Sequence, residues 1–181
     1  MSATLVYKFG GASVKDGPAL RNLYDILLPR LQTSTIIVVS AMGKTTNGLE
    51  AILTKKLAGE DYASEWNALK NFHKDLCAEL FPESHSVGEQ LESFFAAARE
   101  ALQAQVSKAN YDEVYDQVVC FGELLSSLIV SEYLGFRGLP NRWQDAREVI
   151  HTDSDYRFAK IDWDKTRSAC QEKWGDMLHT T

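Results

Sequence analysis

The sequence predicts an α/β fold built on a parallel sheet, and three observations carry that prediction. Two short β-rich segments, Leu5-Val6-Tyr7-Lys8-Phe9 and Thr35-Ile36-Ile37-Val38-Val39-Ser40, are separated by a stretch with helical spacing of leucines. Each segment runs directly into small or hydroxyl-bearing residues, and a further amphipathic helical pattern follows. Two strands with a helix between them make a right-handed parallel unit. In open sheets of this kind, ligands bind beyond the carboxyl ends of the strands, so both polar loops are expected to face one crevice.

The first strand ends at Gly10-Gly11-Ala12-Ser13-Val14. Adjacent glycines lack a Cβ, so backbone N–H groups there can approach a bulky anion such as phosphate. Asp16-Gly17-Pro18 then signals a helix start, with Asp16 as cap and Pro18 in the first turn. Lys8 adds a full positive charge near the turn, although a lysine on a strand also serves simply as a solvated edge residue. Leu20, Leu23, Tyr24, Leu27, Leu28 and Leu31 form the apolar stripe of the first helix, which Pro29 should kink or end near Leu28. The β-branched run from Thr35 is expected to be buried on both faces.

Beyond it, Ser40-Ala41-Met42-Gly43-Lys44-Thr45-Thr46-Asn47 leads into a helix with Leu49, Ile52, Leu53 and Leu57 on one face. Gly43-Lys44-Thr45 is not a P-loop, because the position five residues before Gly43 is Val38, inside the strand, where that motif needs glycine. A hydroxyl-rich turn serves either as a helix cap or as a ligand site. Tyr62 to Leu80 and Val87 to Val106 repeat apolar residues every three or four positions and read as a helical hairpin, with Pro82 stopping the first arm. His73 and His85 have no companions spaced as metal ligands, and they receive no chemical role.

In Gln117-Val118-Val119-Cys120-Phe121-Gly122-Glu123, Gly122 marks a bend and Glu123 opens a strongly apolar helix that stops at Gly135. Glu123 either complements the helix dipole or faces the crevice and holds an ammonium group. A strand is expected around Asn141 to Gln144 and a strand-like piece over Val149 to Thr152. A last helix is expected from Trp163 to Leu178.

Composition bounds the rest. With 181 residues, 45% of them hydrophobic, the chain can bury one core without disulfide or metal staples. Charged residues at 24% exclude a disordered tail as the main reading, and a net charge of -6 with scattered basic residues makes nucleic acid an unexpected partner. Cys77, Cys120 and Cys170 are odd in number and far apart, which suggests neither a disulfide framework nor a zinc site and fits a reducing cytoplasm. The N-terminus lacks an export signal pattern, and no apolar run is expected to span a membrane.

Lys8-Phe9-Gly10-Gly11-Ala12-Ser13-Val14 resembles the opening motif of aspartate kinases, with Ala12 in place of the family's threonine. Val38-Val39-Ser40-Ala41 followed by Thr46-Asn47 is similar to the second motif, and Phe121-Gly122-Glu123-Leu124 to the third. Trp143-Gln144-Asp145-Ala146-Arg147 resembles the stretch leading toward the nucleotide half. The resemblance covers essentially the whole chain, with the hairpin its least diagnostic part. It implies the amino acid kinase fold, a three-layer αβα sandwich with a mainly parallel sheet, here its N-terminal portion with a helical hairpin insertion.

The implied reaction is ATP-dependent phosphorylation of the β-carboxylate of L-aspartate to 4-phospho-L-aspartate, the entry to lysine, threonine and methionine synthesis. Lys8 would stabilise the transferring phosphoryl group, Gly10, Gly11 and Ser13 would contact phosphate oxygens, Ser40 and Thr46 would hydrogen-bond aspartate, and Glu123 would receive its α-ammonium. Mg²⁺ would be held by the nucleotide phosphates rather than by the protein. The resemblance further implies that residues 1–181 are the amino-acid-binding part of a longer kinase, without the nucleotide-binding half or the ACT domains through which family members form oligomers. A truncated product, a proteolytic remnant or a split gene product, with negligible turnover alone, is the corresponding expectation. The rival readings are another amino acid kinase, of the acetylglutamate or glutamate 5-kinase type, and a non-catalytic amino-acid-binding module.

Overall fold

The computed structural model describes residues 4–30 and 34–179, and side chains through residue 175, so Leu31 of the first apolar stripe lies outside the described residues. Strands β1 (Leu5–Phe9) and β2 (Thr35–Val39) pair in parallel, with Leu5 opposite Thr35 and Lys8 opposite Val38. Helix α1 (Gly17–Leu27) connects them. It begins as expected, with Asp16 Oδ1 accepting the Ala19 N–H at 2.9 Å and proline in the first turn. It ends where Pro29 forces a tight 3₁₀ turn over Leu28–Arg30.

Five helices follow the sheet before the last irregular stretch. They are α2 (Thr45–Ala58), α3 (Ala63–Leu80), α4 (Val87–Ala101), α5 (Tyr111–Val119) and α6 (Phe121–Phe136). Helices α3 and α4 pack as the expected hairpin, although α4 stops short of Val106. Helix α6 touches α1 to α5 and β2. That position explains its composition: Leu124, Leu125, Leu128, Ile129, Val130, Tyr133 and Leu134 are all buried, as a helix apolar nearly all round must be. Each such side chain contributes about 1.5–3 kcal/mol of burial free energy.

Several expectations are corrected by the structure. Together α5 and α6 are long and apolar enough to cross a membrane, contrary to the reading of the sequence, but only Cys120 separates them and 67% of their apolar window is buried in the core. Gly122 is not a bend; it lies in the first turn of α6. Residues 141–144 form no strand. Asn141 and Trp143 bond to α6 and the turn after it instead of to a ladder: Asn141 Nδ2 donates to the Ser131 and Leu139 carbonyls at 3.0 Å, and Trp143 Nε1 donates to Ser127 Oγ at 2.9 Å. Of the strand-like piece over Val149 to Thr152, one antiparallel bridge from Thr152 to Ile161 remains. Helix α7 (Trp163–His179) closes the described chain.

The largest correction concerns β2. Tyr7, Phe9, Ile37 and Val39 pack onto the helical core, but Val6 is 63% exposed and Val38 45% exposed on the opposite face. Among the described residues the helices cover one face of the sheet only, so β2 is not buried on both.

Candidate functional site

The carboxyl ends of β1 and β2 open into two loops that are bound to each other. The Ser40 N–H donates to the Phe9 carbonyl at 3.0 Å and the Gly43 N–H to the Gly11 carbonyl at 3.3 Å. Ser13 N–H donates to the Gly10 carbonyl at 2.8 Å, which closes a short 3₁₀ turn over Gly11–Val14. Gly11 is required by close approach: a Cβ there would lie 2.7 Å from the Ala41 carbonyl oxygen. Gly10 has nothing within 4 Å of that position, so a methyl group there would meet open space.

The start of α6 reaches the same point from the other side. A Cβ on Gly122 would sit 2.9 Å from the Ala41 Cβ, so the missing side chain lets the helix abut the loop. Glu123 Oε1 accepts the Ala41 N–H at 3.2 Å, and Ser126 Oγ donates to the Ser40 carbonyl at 2.7 Å. The loop after β2 is therefore held between the glycine turn and the first turns of α6. Glu123 remains exposed beyond that contact, in the helical turn where a carboxylate is favoured.

Of the residues singled out in the sequence, Gly10, Gly11, Ser40 and Glu123 are brought together by these contacts. Ser13 is exposed at the rim of the turn, and Thr46 is half-buried at the start of α2. Lys8 is exposed, with no hydrogen bond or ion pair among the described residues. By strand alternation it shares a sheet face with Val6, Val38 and Ser40, away from the helical core. The hydroxyl-rich turn does not cap α2: Lys44 is the cap residue, without a side-chain cap bond, and Thr45 turns inward and is buried.

Sequence reasoning missed three contributors. His73 is fully buried and its Nε2 lies 3.4 Å from Thr45 Oγ1. Burial holds the His73 imidazole below its ordinary pKa, against the opposing effect of its bond to the Leu69 carbonyl. Ser126 was absorbed into an apolar helix pattern, and Arg147 was named only as part of a stretch. Arg147 binds the Asp145 carboxylate through Nε and Nη2 at 2.7–3.0 Å and brings Nη1 within 3.7 Å of Cys120 Sγ, one residue before α6. Partial burial works to raise the Asp145 pKa, but the Arg147 bonds outweigh it and hold the carboxyl low. Burial pushes the Cys120 thiol up. The usable signal was polarity out of place: a histidine on one apolar stripe and a serine inside another.

The solvent-facing groups of this arrangement include no nucleophile paired with a base; the Thr45 hydroxyl and His73 imidazole are buried. The arrangement offers backbone amides, hydroxyls and a carboxylate around one loop, with the Lys8 ammonium exposed on the outer face of the sheet, a set of groups that suits a small zwitterion and an anion. Among the described residues no group of three or more His, Cys, Asp or Glu side chains could hold a metal ion.

Known proteins resemble this chain over most of its length. The family model described as the amino acid kinase family matches residues 3–175. The bifunctional aspartokinase/homoserine dehydrogenase 2 of Escherichia coli is 34% identical over 151 residues, covering 82% of this chain and 18% of that protein. The chloroplastic aspartokinase 1 of Arabidopsis thaliana is 30% identical over 182 residues, covering 97% of this chain and 31% of that protein. The crystal structure of E. coli aspartokinase III in complex with aspartate and ADP superposes with a TM-score of 0.85 at 26% identity, covering 97% of this chain and 38% of that one. The chain thus spans well under half the length of these relatives. With a family model matched over nearly its whole length and a strand, loop and helix arrangement shared with a solved aspartokinase, this chain belongs to the amino acid kinase family.

Proposed function

We propose that this chain is the amino-acid-binding part of an aspartokinase, presenting the β-carboxylate of L-aspartate to the γ-phosphoryl group of ATP at the carboxyl ends of β1 and β2. The observation that carries this reading is the Glu123 carboxylate, seated on the Ala41 N–H from 82 residues away, beside Ser40 and opposite the Gly10-Gly11 turn.

In this reading Glu123 receives the α-ammonium of aspartate, and the Ser40 and Thr46 hydroxyls donate to its carboxylates. Lys8, the Gly10 and Gly11 amides and Ser13 neutralise the phosphoryl oxygens. A β-carboxylate oxygen attacks the γ-phosphorus, the bond to the ADP oxygen breaks, and 4-phospho-L-aspartate and ADP result. The carboxylate is already ionised at neutral pH, so no general base is needed. Phosphoryl transfer depends chiefly on positioning and charge neutralisation, which is what this set of groups supplies. Mg²⁺ carried on the nucleotide phosphates would add to that neutralisation.

The open sheet face supports a division of labour. Parallel strands are ordinarily covered on both faces. Further chain packed over Val6 and Val38 would carry the nucleotide half, and residues 1–181 alone would turn over negligibly, which an ADP-release assay with aspartate reads directly.

Calorimetric titration with L-aspartate, glutamate and N-acetylglutamate tests the substrate assignment. Aspartate is expected to bind and the other two are not. Glu123→Gln keeps an oxygen for the Ala41 N–H but removes the charge, and is expected to weaken aspartate at least about tenfold, the scale of one charge-assisted bond. An unchanged affinity would leave Glu123 as no more than a first-turn charge.

A further inference from the structure

Thr45 occupies the first position of α2, yet it is buried and caps nothing. Its hydroxyl points at His73, a fully buried residue of α3, with 3.4 Å between Oγ1 and Nε2. The other ring nitrogen, Nδ1, lies 2.8 Å from the Leu69 carbonyl oxygen, which can only accept. The proton therefore sits on Nδ1, the neutral ring presents a bare Nε2, and the Thr45 hydroxyl donates to it. Phe72 and Phe95 pack edge-on against the ring at 4.9 and 5.9 Å between centroids and fix its plane. On its other side Thr45 presses toward α6, its Cγ2 lying 3.6 Å from where a Cβ on Gly122 would be. One side chain thus joins α3, the loop after β2 and the first turn of α6.

We propose that His73 is a positioning residue. Through Thr45 it fixes the segment from Ala41 to Thr46 against α6, and so sets the spacing between the Thr46 hydroxyl and the Glu123 carboxylate. Its consequence for aspartate rests on the function proposed above; its hold on the loop does not. No other described side chain is hydrogen-bonded to the Thr45 hydroxyl, so Nε2 of this ring connects the helical hairpin to the site while the Nδ1 bond to the Leu69 carbonyl orients the ring within α3.

The test uses the whole chain with His73→Phe, which keeps the aromatic packing and removes both nitrogens, and Thr45→Val, which removes only the hydroxyl. Thr45→Ser keeps that hydroxyl. Amide hydrogen exchange over residues 43–48 is expected to quicken roughly 5- to 10-fold in the first two variants, the worth of one buried hydrogen bond. It should quicken less in Thr45→Ser, which keeps the hydroxyl and loses only the methyl group facing Gly122, than in Thr45→Val, and interior amides of α4 and α6 should not change in any variant. The aspartate dissociation constant should rise by a similar factor in the first two. Nitrogen-15 shifts of His73 in the parent chain should report the Nδ1–H tautomer.

Exchange that is unchanged in both variants, or that rises equally throughout the chain, overturns the inference, as does the Nε2–H tautomer. If the loop responds as stated while the parent chain binds no aspartate, the aspartate reading fails and the inference stands. If aspartate binds and Glu123→Gln weakens it while the loop is indifferent to His73→Phe, the inference fails and the aspartate reading stands.

Discussion

The two faces of the β1–β2 sheet divide the work of the molecule. Tyr7, Phe9, Ile37 and Val39 on one face join a continuous core with the helices, whereas Val6 and Val38 on the other stay open and flank a lysine that has no partner among the described residues. Stability is concentrated on the first face, and the groups able to bind a ligand stand on the second or just beyond its end. The lesson is that side chains on the open face, such as Lys8, are cheap to change for the fold, while the residues that aim them, including Gly11, are not.

The largest effect should come from the helical side. Phe95 is buried against Trp66 and His73, and Phe95→Ala should cost about 3–5 kcal/mol in urea unfolding. A loss below 1 kcal/mol would break the contrast, because the helical side would then not be where stability resides.

At the boundary between the faces, the paired glycines sharpen it. Gly11→Ala would push a methyl group against the Ala41 carbonyl and should cost about 1–3 kcal/mol by calorimetric unfolding, the usual price of overpacking. Gly10→Ala meets open space and should stay within about 0.5 kcal/mol. Equal losses at the two positions would mean that the turn is not packed as described.

The smallest effect is in pH. Burial keeps the folded His73 pKa below that of the unfolded chain. The unfolded state therefore binds a proton that the folded state refuses, and stability present above about pH 6.5 declines as the pH falls toward the folded value. For one proton the slope cannot exceed about 1.4 kcal/mol per pH unit. His73→Phe should flatten that part of the stability profile, measured by denaturation between pH 7 and 5; an unaltered slope would assign it to the carboxylates.

Much of this was legible in the sequence where one residue type has one physical use. Asp16 and Pro18 marked the start of α1, Pro29 marked its end, and the leucine spacing marked the helical hairpin. The glycine turn and Glu123 were found because close approach and first-turn charge are local properties. The misses were non-local. Nothing in Thr35-Ile36-Ile37-Val38-Val39 tells whether a second layer covers it, and its composition suits burial that these residues do not themselves supply. Asn141 to Gln144 has a strand's look, but the partners that decided its fate, Ser127 and Ser131, lie a turn apart on α6. The His73–Thr45 contact joins residues 28 apart through a fold that had to be seen.

The meeting of three small residues at Ala41 sets what later sequence change this loop can absorb. The obstacle to a larger residue at position 122 is the Ala41 Cβ, so Ala41→Gly would make room for it. The obstacle at position 11 is a main-chain oxygen, which no substitution at position 41 removes. One of these glycines is thus repairable by a second-site change, and the other is irreplaceable while the backbone keeps its course.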